Sequence, residues 1–111
     1  MEIDLKKIII MHISKGTTLK NWTPRHNYTG NDLTVLSVDK DSGKITIDLP
    51  TSKYKKVDVT VSDISQLYHF WNQIKSGDIT RTQYTNTGIK SRKTRYILNI
   101  LKYLEDINVL Q

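Results

Sequence analysis

The segment Leu33–Leu49 reads LTVLSVDKDSGKITIDL. Two runs of strand-forming residues flank a turn. Leu33 to Val38 is rich in branched apolar side chains. In the second run Ile45, Ile47 and Leu49 alternate with Thr46 and Asp48, so an extended backbone places the three apolar side chains on one face. Between them lies Asp39-Lys40-Asp41-Ser42-Gly43, where Asp and Ser can hold backbone amides and Gly accepts positive φ. The segment is predicted to be an antiparallel hairpin.

The same reading extends outward. Pro50 to Lys56 forms a second, basic turn, and Val57, Val59 and Val61 share one face of a third strand. Upstream, Thr17 to Thr23 is extended, Pro24 interrupts it, and Arg25 to Asp32 is a loop. Asp4 to Ile13 fits a short helix with Asp4 as cap and Leu5, Ile8, Ile9, His12 and Ile13 on one stripe. Its isoleucine density also suits a buried strand. After the third strand the period changes. Ser62 is an N-cap, Asp63 favours the first turn, and Ile64, Leu67, Tyr68, Trp71 and Ile74 form a helical stripe that Gly77 ends. Asp78 to Tyr84 is a turn or a short helix. A last helix starts near Ser91 or Thr94 and runs to about Asn108, burying Ile97, Ile100, Leu101, Leu104 and Ile107.

The fold class predicted is α+β: a small curled antiparallel sheet, SH3-like or an open barrel, followed by two or three helices. With 111 residues, one domain over 1–111 is the economical arrangement, strands mainly in 17–61 and helices in 62–108. There is no cysteine, which removes disulfides and thiolate chemistry and fits a cytoplasmic setting. The apolar run Ile8 to Met11 is too short to cross a bilayer or to form a signal-peptide core.

The formal net charge is +6. Residues 1–78 carry eleven basic and nine acidic residues, a net of +2. Residues 79–104 carry six basic residues (Arg81, Lys90, Arg92, Lys93, Arg95 and Lys102) and no acid. Glu105 and Asp106 follow. Such focusing suits a polyanion or an acidic protein surface.

Candidates for chemistry are sparse. His12, His26 and His69 stand in no metal-ligand spacing. Asp39 and Asp41 flank the hairpin turn without the terminal glutamate of a calcium loop. Ser42 to Thr46 lacks the glycine-rich loop of a nucleotide site. Asp41, Lys44, Asp48 and Asp58 echo a metal-dependent nuclease, although a solvated strand face explains them more simply. No catalytic residue, metal site or cofactor is assigned.

For binding, Lys90, Arg92, Lys93 and Arg95 crowd the start of the last helix, where they oppose the helix dipole. A bound phosphate resolves that conflict. Arg92, Arg95, Asn99 and Lys102 recur at spacings of three and four, as on a solvent-facing ridge. In a helix-turn-helix-like arrangement Lys90, Lys93 and Lys102 hold phosphates, Arg92, Arg95 and Asn99 reach base edges, and Arg81 completes the surface. An RNA-stacking sheet is less attractive, with only Trp22, Tyr28 and Tyr54 near loops. Trp22 or Phe70 offers a contact for a homodimer; a monomer is equally compatible.

Residue patterns add a resemblance. Trp71 to Gly77 followed by Ile79 and Arg81, then Thr94, Tyr96 and Ile97 with Ile100 and Leu101, are similar to signatures of a small module of bacterial and phage proteins. That module is associated with restriction or other DNA-directed systems. The resemblance spans roughly Trp22 to Leu104 and implies a DNA-directed role, with no catalytic residue attached. The reading is therefore a non-enzymatic nucleic-acid-binding module, for double-stranded DNA first. Its alternative is a small regulatory or inhibitory protein, as from a mobile element, that docks a basic face on an acidic partner.

Overall fold

A computed structural model describes residues 4–23, 27–28, 32–49, 55–78 and 91–110. Helix α1 (Leu5–His12) comes first; the Asp4 carboxylate accepts the Lys7 N–H at 3.1 Å, so the first segment is a capped helix and not a strand. Strands β1 (Thr18–Leu19), β2 (Trp22–Thr23), β3 (Asn27–Tyr28), β4 (Leu33–Val38), β5 (Ile45–Leu49) and β6 (Lys55–Val59) follow. Helices α2 (Val61–Tyr68), α3 (Trp71–Ser76) and α4 (Ser91–Asp106) complete the described elements.

The main sheet is antiparallel with the order β1-β4-β5-β6. Its two edges are different strands, so it is open and does not close as a barrel. A separate two-stranded ribbon pairs β2 with β3, turning part of the predicted loop into a hairpin. The β4–β5 pairing is shifted between Val35 and Ser37, leaving Leu36 as the extra, exposed residue. In the connecting turn the Asp39 carboxylate accepts the Asp41 and Ser42 N–H groups, and Gly43 takes a φ of +77°.

One face of the sheet is buried: Val35, Ile45, Ile47, Leu49, Val57 and Val59. It joins Leu5, Ile9 and Ile13 from α1 and its cap, and Ile64, Leu67, Trp71 and Ile74 from α2 and α3, in one core. Residues Ile97, Leu98, Ile100, Leu101 and Leu104 of α4 complete it. The opposite sheet face carries Thr34, Thr46, Asp48, Lys56 and Asp58.

Three boundaries differ from the sequence reading. Val61 opens α2 rather than closing a strand, because Thr60 caps the helix. The Thr60 hydroxyl accepts the Asp63 N–H and the Asp63 carboxylate accepts the Thr60 N–H, a reciprocal box. The helix expected from Ser62 to Gly77 is broken at His69 and Phe70, where the Phe70 N–H turns back to Leu67. Four ring-bearing side chains in succession, Tyr68 to Trp71, crowd a helical backbone there. At the other end, Asn108 adopts φ +63° and a 6→1, 5→2 pair of bonds runs from Val109 to Leu104 and from Asn108 to Glu105. This closes α4 at Asp106 and leaves Ile107 38 % exposed, outside the stripe predicted for it.

Candidate nucleic-acid interface

Helix α4 carries most of the predicted contact residues, and its surroundings decide what they can reach. Five consecutive residues, Ile97 to Leu101, are buried. An α-helix turns once in about 3.6 residues. Burial over a longer stretch than one turn means the middle of α4 is enclosed on every side. It packs against α2, β1, β2 and β6. Of the described side chains on α4, only Arg95 and Asp106 are exposed.

The middle of a helix so enclosed offers no free face to a major groove. Asn99 is therefore a correction: it does not stand on a solvent-facing ridge but has 0 % exposure. Its Oδ1 accepts the Trp22 N–H at 2.8 Å, and its Nδ2 has no partner among the described residues. The side chain holds the β2–β3 ribbon to α4 and has no surface to offer a base.

Arg95 is exposed, and its Nε donates to Asn21 Oδ1 at 3.1 Å. That bond orients the guanidinium and, among the described residues, uses only its Nε–H. Lys93 is half-buried on the same first turns. Thr94 is buried, and its hydroxyl has no partner among the described residues. Arg81 and Lys90 lie outside the described residues; Arg92 lies on α4, its side chain outside them.

Lys102 belongs to a different cluster. Its Nζ lies 3.2 Å from Glu105 Oε1 and 3.4 Å from Asp106 Oδ1, and 5.4 Å from the Trp22 ring centre. Burial pulls its pKa down, but the hydrogen bond and charges of the two carboxylates outweigh this and hold it above the ordinary lysine value. Glu105 also accepts Trp71 Nε1–H at 2.8 Å and pairs with Lys75. Burial pushes the Glu105 carboxyl up, and the bonds from Lys75, Trp71 and Lys102 together bring it below its usual range. The Tyr28 hydroxyl donates to Asp106, which raises the phenol pKa. Trp22 and Trp71 meet at 5.6 Å between ring centres, tilted by 59°. Trp22 is 5 % exposed in this packing, which removes it from any dimer contact.

The C-terminal half of α4 is thus an internally neutralised clasp of Tyr28, Trp71, Lys75, Lys102, Glu105 and Asp106. Sequence reasoning did not find it. The Lys102, Glu105, Asp106 spacing is legible on a helix, but the partners from β3 and α3 are not.

Of the nuclease echo, Asp48 and Asp58 lie diagonally on the outer face of β5 and β6, with Lys56 opposite Asp48 and Thr46 donating to Asp58 at 2.7 Å. Among the described residues no three metal-ligating side chains converge. His12 and His69 are exposed, the latter edge-on to Phe70 at 5.0 Å. No helix of the described residues is long and apolar enough to cross a membrane.

Compared with protein-family models, with curated proteins and with solved structures, the chain gives no match. The likeness to a module of DNA-directed systems stands on the residues quoted for it alone.

Proposed function

We propose that the chain binds nucleic acid, double-stranded DNA foremost, and does so without catalysing a reaction on it. Phosphates are held by the basic segment that leads into α4: Arg81, Lys90, Arg92, Lys93 and Arg95. One observation carries this reading. Residues 79–95 hold five basic residues and no acid, while Lys102, further along α4, is matched by Glu105 and Asp106. In the sequence the excess positive charge is therefore concentrated at the start of α4 and in the segment before it.

The enclosed middle of α4 shapes the mode of binding. Contacts from a helix end and the segment before it fall on the sugar-phosphate backbone, where they position the duplex without reading its sequence. Affinity is then electrostatic and falls steeply with salt. The reading takes the cytoplasm as its setting and needs neither a membrane nor a cofactor.

The test is a titration of labelled duplex DNA at low salt. The wild-type chain is compared with Lys90→Ala/Arg92→Ala/Lys93→Ala/Arg95→Ala and with Lys102→Ala. The fourfold variant loses binding and Lys102→Ala keeps it. Equal loss in both, or no binding by the wild type, overturns the reading. The basic segment then becomes a docking face for an acidic protein.

A further inference from the structure

The main sheet ends at β6, which pairs with β5 and with no other strand among the described residues. No backbone hydrogen bond of the described residues reaches its outer edge. An uncovered edge is a template for another strand, and proteins usually blunt it with charge. Here the charges alternate in a particular order. Lys56 and Asp58 are exposed on the outer face, with the buried Val57 between them on the inner one.

We infer that β6 pairs antiparallel with β6 of a second copy of this chain, about a two-fold axis through Val57. In that register Lys56 stands opposite the second copy's Asp58, and Asp58 opposite its Lys56. Residues opposite each other in an antiparallel pair point to the same face, so both ion pairs lie on the outer surface. The charge order continues into each sheet, because Asp48 of β5 already faces Lys56 and Thr46 already donates to Asp58. Four strands then carry Asp48, Lys56, Asp58 and Thr46 in one row, and the symmetric row runs the other way. Among the described residues Lys56 has no ion-pair partner within one chain.

On the inner face Val57 meets its symmetry mate beside α4, which packs on β6. The helices of both copies fall on one side of a continuous eight-stranded sheet. Lys55, with φ +64°, departs from strand geometry and limits the pairing to the centre of β6. The contact is therefore small, and self-association is weak and concentration-dependent.

Self-association alone would not identify the edge, but charge exchange does. Lys56→Asp sets two like-charge pairs across the axis, and so does Asp58→Lys. Each weakens the homodimer about tenfold. Mixed together, the two variants restore both opposite-charge pairs, so an equimolar mixture forms a heterodimer that neither forms alone. The double variant Lys56→Asp/Asp58→Lys associates like the wild type. Sedimentation velocity from micromolar to millimolar concentration reads all five samples, and circular dichroism checks that these exposed changes leave the fold intact. A wild-type chain that stays monomeric overturns the inference. So do single variants that associate as the wild type does, or a mixture that fails to recover.

Discussion

Replacing Asn99 with alanine distinguishes a structural role from a recognition role for the same side chain. Three effects set the size of the change. The Trp22 N–H loses its acceptor beside a 5 % exposed indole, which costs about 1–3 kcal/mol. The missing amide leaves a hole worth about 1 kcal/mol. Against these, the Nδ2 group without a partner disappears, returning about 1 kcal/mol. The net loss is about 2 kcal/mol. With a urea m-value of about 1.5 kcal/mol/M, the midpoint falls by about 1.3 M. Trp22 and Trp71 report the transition by fluorescence. Duplex binding, measured where the variant is folded, stays within about twofold of the wild type, because Asn99 touches no ligand in this account. An unchanged midpoint combined with a large loss of DNA affinity would refute the reasoning, since it would place Asn99 at a surface.

Stability in acid depends on Glu105. Its folded-state pKa is lowered, so its contribution is full above the unfolded value and is lost as pH falls through the folded one. Lys102 is raised, so its contribution is full below the unfolded lysine value and is lost as pH rises through the folded one. Thermal melts across pH are therefore flat through neutrality, and Glu105→Gln lowers that plateau by about 1 kcal/mol and makes the acid limb shallower. An acid limb remains from Asp39, whose carboxyl is held low by the Asp41 and Ser42 amides. Gly43→Ala destabilises by about 2–3 kcal/mol, because a Cβ there would sit 2.6 Å from Val61 Cγ2 at a φ of +77°. Adding Val61→Ala recovers the steric part of that loss in a denaturation series, and a Gly43→Ala midpoint equal to wild type would contradict the packing.

The strands were legible because their alternation is local. Ile45, Ile47 and Leu49 on one side and Val57 and Val59 on the other announce a face without reference to anything else. The Asp4 cap was legible, but Ser62 was read as the cap of α2 where Thr60 holds that place, and only geometry chooses between them. What the sequence hides is the company α4 keeps. Arg92, Arg95, Asn99 and Lys102 have the spacing of a ridge, but spacing does not say whether a ridge faces water. The β2–β3 ribbon is only two residues per strand, too short to show a period, and it covers Asn99 by bonding it from 77 residues away. The same distance effect hides the clasp. Asp106 meets Tyr28 and Glu105 meets Lys75 and Trp71, contacts that no local window contains.

The salt dependence of duplex binding tests the central claim most directly. Fluorescence anisotropy on two duplexes of unrelated sequence, over a series of salt concentrations, gives the slope of log affinity against log salt. Five phosphate contacts correspond to a slope of about −4.5, the same for both sequences. A slope near zero, a strong preference for one duplex, or no binding at low salt would contradict the account.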